Sequence, residues 1–283
     1  MENKSSLDIL GLKPIGDAVN TGVEKSFQGL EGFLKSVCLP ALDEIGLLLK
    51  DKVRHWRLCN ILNIMEKAKG KLDFQGESLQ IKSHPRIALS IIENGSLNDN
   101  DEIQELWAGL FTSSCTEDGQ DDENLIFVDL LKQLTVAQAR ILKFSCESSR
   151  KILYKNGLVV GDDLEADCNL LIELTKTNNI HRIDRELDHL RSLELIHSAG
   201  GFKAASEELI ANITPTALAL NLYIKSQGYN INTADYFKHS LVTAEQVQKE
   251  KQELHKIEME KQKIEAEKRR QEEIIIRQGN VNN

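Results

Sequence analysis

The chain has 283 residues, of which 41% are hydrophobic and 28% are charged, with 4 prolines and 17 glycines. This composition is typical of a soluble globular protein and excludes a collagen-like or wholly disordered chain. With 35 basic and 44 acidic side chains, the formal net charge is −9. A broadly basic surface for nucleic acid is therefore excluded, and any DNA contact would have to be local.

Cysteine usage and charge placement predict a cytoplasmic protein. The five cysteines are scattered and form no CxxC pair, which indicates a reducing compartment. Asp8 and Lys13 interrupt the apolar start, so no secretion signal is predicted. The most apolar stretch, 33–49, carries three charges and is not expected to span a membrane. Peripheral contact with the inner membrane stays open.

The first segment, 1–36, is predicted to be an amphipathic helix interrupted by glycines. Its apolar residues follow helical spacing over 7–35, but five glycines in that range each cost about 1 kcal/mol relative to alanine. Such a helix needs a partner surface. It would either dock on its own domain or contact a membrane reversibly.

A helical domain is predicted over 37–134, and its longest helix runs from Pro40 to Lys69. Trp56 is expected to be a buried anchor of this helix. A short basic cluster on it would be either a solvated face or a contact for an anion or a partner. The candidate binding residues in the cluster are Lys52, Arg54 and Arg57.

The rest of this domain is predicted from turn and capping signals. Residues 70–82 form a connection, Pro85 opens a helix that Gly95 ends, and Asn98 caps a helix anchored by a buried Trp107. The acidic residues after Asn98 lie in the first turn, where they complement the helix dipole. The segment is not a calcium-binding loop, because it lacks the glycine and the final glutamate of that motif. An exposed loop and a further helix follow at 116–123 and 125–134.

Residues 135–229 predict a winged-helix-like α+β domain, because three helices, a small β-hairpin and a closing helix follow one another. Thr135 is expected to cap the first helix, which would extend through Ile152 and Leu153. Thr214 and Pro215 are expected to open the closing helix. The remaining predicted elements are helices at 164–174 and 181–193 and strands at 195–198 and 209–213.

The third helix of such a domain is the one able to enter a DNA major groove. Acidic residues interleave with its basic ones, and acids close to phosphate oppose DNA binding. The helix is therefore a candidate for binding either a protein or nucleic acid. Its candidate residues are His181, Arg182, Arg185, His189 and Arg191.

A polar linker is predicted over 230–244, followed by a charged helix or weak coiled coil over 245–277 and a disordered tail at 278–283. The helix contains nine acids and nine bases, so the net charge of −9 falls on the rest of the chain. An apolar stripe runs along it, but Lys261 and Lys268 occupy positions where a coiled coil requires apolar residues. The stripe consists of Val247, Leu254, Ile257 and Ile264.

The common catalytic and cofactor motifs are absent from the sequence. It has no phosphate-binding GxxxxGK[ST] loop, no strand-borne GxGxxG, no HExxH and no GxSxG. His181, His189 and His197 are eight residues apart, whereas zinc-binding pairs on a helix are three or four apart. We expect no enzymatic activity, no cofactor and no metal.

Three stretches together resemble the abortive-infection alpha family of bacterial proteins. They are 51–60 (DKVRHWRLCN), 101–110 (DEIQELWAGL) and 127–142 (FVDLLKQLTVAQARIL). Leu195-Ile196 and Thr214-Pro215 match the family's ending, and the resemblance covers about residues 40–225. It implies a role in phage defence, in which an infected cell is halted or killed before progeny emerge. The family has no established catalytic residues, so none is carried over.

The predicted protein is thus mainly α, with a helical domain, a winged-helix-like domain and a long charged C-terminal helix. We expect a non-enzymatic antiviral protein that acts through protein–protein or membrane contacts. Its partner would be a phage component, another protein or a second copy held through the C-terminal helix. Two alternatives stay open: a winged-helix DNA-binding regulator and a structural adaptor that sets oligomer size.

Overall fold

The computed structural model describes residues 54–75, 81–202 and 209–279, together with short helical pieces within 29–37. Most of the predicted Gly-interrupted helix, the predicted start at Pro40, the candidate Lys52 and the last four residues lie outside the described residues. Within the helical pieces, Leu30, Phe33 and Leu34 are buried in the core. The described part of this segment is therefore docked on the protein's own body.

The described chain is mainly helical, as predicted, with a few small sheets. The helices are α1 (Arg54–Gln75), α2 (Pro85–Gly95), α3 (Asp101–Ser113), α4 (Leu125–Leu131), α5 (Val136–Ser148), α6 (Cys168–Thr175), α7 (Ile180–Ser192), α8 (Ala217–Gln227), α9 (Thr233–Tyr236) and α10 (Ala244–Gly279). The strands are β1 (Lys82–Ser83), β2 (Cys115–Thr116), β3 (Lys151–Leu153), β4 (Val159–Gly161), β5 (Glu165–Asp167), β6 (Gly201–Phe202), β7 (Ile210–Asn212) and β8 (Leu241–Thr243).

Helix α3 is the centre of the body. It packs against α1 on one side and α8 on the other, and its Trp107 and Phe111 are completely buried. At Gly109 the backbone of α8 comes so close that a Cβ would lie 1.7 Å from the carbonyl oxygen of Ser226. Only glycine permits this approach, which joins residues from both sides of the predicted 134/135 boundary in one continuous core.

Trp56 departs from the prediction for the first helix. Its side chain is 38% exposed, so it is not the buried anchor that the apolar spacing indicated, whereas Trp107 is. Helix α1 also continues five residues past Gly70, into the stretch predicted as a connection. A Cβ added at Gly70 would meet no atom within 4 Å, so neither a turn nor a close backbone approach requires glycine at this position.

Capping side chains set several helix starts. Thr135 caps α5 as predicted and forms a full capping box with Gln138. Asn100, rather than Asn98, caps α3, and Thr216, rather than Thr214, caps α8. In both corrections the sequence offers two capping residues two positions apart, and periodicity alone does not choose between them.

The second half of the body contains a three-stranded antiparallel sheet in the order β5-β7-β6. The predicted helix over 164–174 begins only at Cys168, because residues 165–167 form β5. The predicted strand over 195–198 is also wrong: Ile196 makes a single bridge to Pro215, and the strand lies at Gly201–Phe202. Helix α7 confirms the helix predicted over 181–193 within one residue at each end.

A second three-stranded sheet, in the order β4-β3-β8, corrects two further predictions. Ile152 and Leu153 belong to β3 and not to the helix capped by Thr135, which ends at Ser148. The stretch predicted as a polar linker contains α9 and β8, and β8 pairs in parallel with β3. The chain therefore returns to the body before α10 begins.

Candidate functional site

The candidate site is the place where α10 leaves the body. Strand β8 runs directly into the helix, and Thr243 begins it with a capping box: its hydroxyl accepts from the backbone N–H of Gln246, whose Oε1 accepts from the backbone N–H of Thr243 at 2.8 Å. Val247 in the first turn is buried. The helix start is thus fixed by pairing, capping and packing together.

Ion pairs clamp the first two turns of α10 to the β3–β4 hairpin and its flanks. Arg150 binds Glu250 with both terminal guanidinium nitrogens, Nη1 and Nη2, at 2.5 and 2.9 Å. Lys155 Nζ lies 2.6 Å from Glu245. Lys251 Nζ lies 3.4 Å from Asp162 Oδ1. We call these the basal ion pairs.

The basal ion pairs shift the ionisation of their carboxylates. The hydrogen bond from Lys155 lowers the pKa of Glu245, and the hydrogen bond from Arg150 lowers the pKa of Glu250. The same bonds raise the pKa values of Lys155 and Arg150. Both carboxylates therefore stay charged at neutral pH, although each pair is exposed and contributes little by itself.

Two open grooves lie beside the start of α10. The larger, of about 690 Å³, is lined by the hairpin turn and the first turn of the helix, and the smaller, of about 510 Å³, follows the helix face toward His255. Tyr154 and Gln248 line both grooves. The exposed side chain of Tyr154 places apolar surface next to the helix.

Beyond its base, α10 is solvent-exposed as far as its side chains are described. Every residue from Gln248 to Arg269 is exposed. Three apolar side chains of the predicted stripe lie here, and we call them the seam: Leu254 is 60% exposed, Ile257 51% and Ile264 50%. They follow helical spacing from the buried Val247, so they share its side of the helix. The predicted charged helix is confirmed, and its apolar stripe is covered only at the base.

The predicted binding residues of α7 do not all face outward. His181, Arg182 and Arg185 are exposed, and Arg182 lies 3.7 Å from Glu186. Arg191 is exposed but bound, since Nη1 donates to the carbonyl of Gly200 at 3.1 Å and Nη2 pairs with Asp188.

His189 faces the body and helps to hold α5 against α7. Its Nδ1 lies 2.9 Å from Nε2 and 3.2 Å from Oε1 of Gln138. Glu186 accepts from the Thr135 hydroxyl at 2.8 Å. The capping box of α5 and the inner face of α7 therefore form one polar contact, and His189 belongs to it rather than to an outer surface.

The basic cluster predicted on the first helix is partly structural. Arg57 Nε donates to the Ser96 hydroxyl at 3.0 Å, and Asn60 donates to the Ser96 carbonyl at 2.9 Å. These bonds tie α1 to the end of α2. Arg54 begins α1, and its side chain lies outside the described residues.

Two buried groups with shifted pKa values are Cys146, near the end of α5, and Lys151, the first residue of β3. Burial raises the pKa of the Cys146 thiol far above its usual range and lowers that of Lys151. Lys151 Nζ donates to the carbonyls of Glu147 and Ser149 and lies 4.9 Å from the ring centre of Phe237. Both residues therefore have a structural role. The buried Cys146 thiol stays protonated and unreactive, and the Lys151 ammonium is held by the backbone carbonyls and the aromatic ring around it.

The sequence interpretation missed the residues that clamp α10, namely Arg150, Lys155, Asp162 and the hairpin that carries them. A signal for the hairpin was present in Asn156-Gly157, a dipeptide typical of tight β-turns. Gly157 has φ +86°, and Tyr154 exchanges backbone hydrogen bonds with Leu158 and Gly157 across the turn. Apolar spacing had favoured a helix through this stretch instead.

The described residues form neither a metal site nor a membrane span. Within them, no group of three or more His, Cys, Asp or Glu side chains is placed to hold a metal ion. None of the helices in this part of the chain is both long and apolar enough to cross a bilayer.

Comparison with known proteins assigns a family to the body of the protein. The family model described as "Abortive infection alpha" matches residues 59–241. No curated protein and no solved structure matches the chain. The matched residues include the β3–β4 hairpin and end at the first residue of β8, so α10 lies beyond them. Because the match covers more than half of the chain, the protein belongs to the abortive infection alpha family.

Proposed function

We propose that the protein serves in abortive-infection defence without catalysis, by binding another protein through the exposed part of α10. The observation that carries this proposal is the seam. Leu254, Ile257 and Ile264 lie at least half exposed along one side of a helix that is anchored at its base. An aligned apolar stripe on an exposed helix is typical of a contact surface, whereas scattered apolar residues are not.

The anchoring of α10 supports the same proposal. The capping box, the β8–β3 pairing and the basal ion pairs fix where the helix starts and how it leaves the body. A fixed helix loses less conformational freedom on binding than a disordered tail would lose. The body would then present the helix to its partner.

Membrane contact by residues 7–35 is not part of the proposal. Leu30, Phe33 and Leu34 belong to the buried core, and Phe33 packs edge-on against Phe111 of α3 at 6.4 Å between ring centres. Releasing this segment would expose core surface on α3, which costs free energy.

The test is phage protection by cells that carry the double variant Leu254→Gln and Ile257→Gln. Glutamine keeps helix propensity but removes the apolar stripe. We expect the variant to lose protection at normal protein level and helix content. The matched control is Met259→Gln, since Met259 is 44% exposed on the same helix but lies about 160° around it from Ile257. Full protection by the double variant would refute the proposal.

A second candidate function is DNA binding, and the chain order favours it. Apart from the β3–β4 hairpin, which lies between α5 and β5, the chain passes through helix α5, strand β5, helices α6 and α7 and strands β6 and β7 in the order of a winged helix. In such a domain α7 would be the recognition helix. His181, Arg182 and Arg185 are exposed on it. Asp188, beside Arg191, opposes phosphate binding.

A gel shift at low salt tests this candidate. If α7 reads DNA, the unaltered protein should retard duplex DNA, and the double variant Arg182→Glu and Arg185→Glu should not. The absence of a shift with the unaltered protein would remove DNA binding as a function.

A further inference from the structure

All but one of the charges beside the seam are negative, and this restricts what can cover it. With Val247 as the first core position of a seven-residue repeat, Leu254 and Lys261 continue that position, and Ile257 and Ile264 occupy the second core position. The flanking positions are then almost all glutamate. On one flank they are Glu253, Glu260 and Glu267, and on the other Lys251, Glu258 and Glu265.

A second copy of α10 fits this surface badly. In a parallel pair, Glu253 of one copy would face Glu258 of the other, Glu260 would face Glu265, and the two Lys261 side chains would meet in the core. In an antiparallel pair each flank faces its own equivalent, which again brings glutamate against glutamate. Like charges across a coiled coil oppose pairing and select against that partner.

An anionic lipid surface also fits badly. Helices that lie on membranes carry lysine and arginine beside the apolar face, where they meet the lipid headgroups. Here Glu258, Glu260 and Glu265 take those places, and all three are exposed. The basic side chains Lys249, Lys256 and Lys263 recur every seven residues, displaced from the seam beyond the glutamates.

We infer that the seam binds an amphipathic helix of a different protein, whose apolar stripe is flanked by lysines or arginines. Each flanking glutamate would meet a basic side chain, and the apolar residues would pack between the two rows of ion pairs. This inference rests on the proposed function and adds the chemistry of the partner. Lys261, in the core of the contact, requires an acidic or polar residue opposite it.

The probe is a synthetic amphipathic peptide of about four heptads, with lysine at every flanking position and leucine or isoleucine at every core position except one, which is glutamate and faces Lys261. Its matched control is the same peptide with glutamate at the flanking positions. Binding of each labelled peptide to the full chain is measured by fluorescence anisotropy at low and high salt. We expect the basic peptide to bind at least about tenfold more tightly at low salt, with the preference shrinking as salt screens the pairs.

Variants separate this contact from general attraction to an acidic protein. The double variant Leu254→Gln and Ile257→Gln should no longer bind the basic peptide, and the Met259→Gln variant should bind it as tightly as the unaltered protein. Changing Glu258, Glu260, Glu265 and Glu267 to lysine should reverse the preference toward the acidic peptide. If neither the seam double variant nor the glutamate-to-lysine variant altered peptide binding, the inference would be overturned.

Two further measurements test the alternative occupants of the seam. Sedimentation of the full chain tests for a second copy of α10, and vesicle binding tests for an anionic lipid surface. We expect a monomer at micromolar concentration and no binding to vesicles that contain phosphatidylglycerol. A dimer that the seam double variant dissociates, or vesicle binding that it abolishes, would overturn the inference. Loss of phage protection in the seam variant together with no peptide preference would refute the partner chemistry alone and leave the proposed function standing.

Discussion

Arg150 and Glu250 meet across 100 residues of sequence in a two-pronged ion pair, with Nη1 2.5 Å from Oε2 and Nη2 2.9 Å from Oε1. Arg150 lies at the start of the β3–β4 hairpin, inside the family match, and Glu250 lies in the second turn of α10, outside it. Because a bidentate arginine–carboxylate pair has a preferred geometry, it fixes direction as well as distance. The pair therefore sets how α10 leaves the body.

Replacing Arg150 with glutamine should loosen the base of α10 without unfolding the body. The pair is exposed, and pairs of this kind contribute little to global stability. We expect the midpoint of denaturant unfolding to stay nearly unchanged, while the backbone amides of the second turn of α10 exchange hydrogen several-fold faster. Hydrogen exchange read by mass spectrometry measures this. Arg182→Gln, which breaks the ion pair of the exposed Arg182 with Glu186 on α7, should leave exchange in α10 unchanged.

The attachment of α10 should weaken in acid. The pKa values of Glu245 and Glu250 are lowered below the ordinary value of 4.5 by hydrogen bonds from Lys155 and Arg150. A carboxylate with a depressed folded-state pKa stabilises at pH values above its unfolded pKa, and that contribution is lost as pH falls through the folded pKa. Exchange protection at the helix base should therefore hold at neutral pH and fall below pH 4.5.

The same pH series on the double variant Arg150→Gln and Lys155→Gln is the control. This variant lacks the positive charges that face the two carboxylates, so its protection should be low throughout and nearly independent of pH. An equal acid response in both proteins would show that other groups control the attachment.

Gly109→Ala should destabilise the whole body. The added Cβ would lie 1.7 Å from the carbonyl oxygen of Ser226, a backbone atom that moves only if α8 moves. Forced overpacking of this kind costs about 1–3 kcal/mol, and more where backbone must shift. Gly70→Ala is the matched control, because nothing lies within 4 Å of its Cβ in α1. It should stabilise by about 0.5–1 kcal/mol through helix propensity, and urea unfolding measures both.

Local signals in the sequence predicted the helices, and sheet pairing explains where they failed. Thr135, followed three residues later by Gln138, is a complete capping signal and located α5 correctly. The alternating charges after Ala244 likewise predicted a solvated helix. The second partner of β3, in contrast, is β8, about ninety residues later in the chain, and no local pattern specifies that pairing.

The candidate site was predicted only in part for the same reason. The apolar stripe of α10 is visible in the sequence, because helical spacing is local. Arg150 and Lys155 gained their role only when β8 brought α10 to the hairpin, and His189 lost its predicted outward role because it faces Gln138 of α5. Trp56 shows the limit of apolar spacing, which predicts a side of a helix but not what covers it.

The backbone conformation of the β3–β4 turn should control how firmly the base of α10 is held. Gly157 has φ +86°, in the left-handed region that other L-residues adopt at a cost of about 1–2 kcal/mol, and an added Cβ would meet nothing within 4 Å. Gly157→Ala should therefore destabilise the hairpin by conformational strain alone, and β8, which pairs with β3, should lose protection with it.

Gly157→Asn separates strain from bulk, because asparagine is larger than alanine but tolerates the left-handed region better. We expect exchange at β8 and the first turn of α10 to rise most in the alanine variant and less in the asparagine variant, while α3 stays protected in both. The reverse order would mean that side-chain size, and not backbone conformation, links the turn to the helix base.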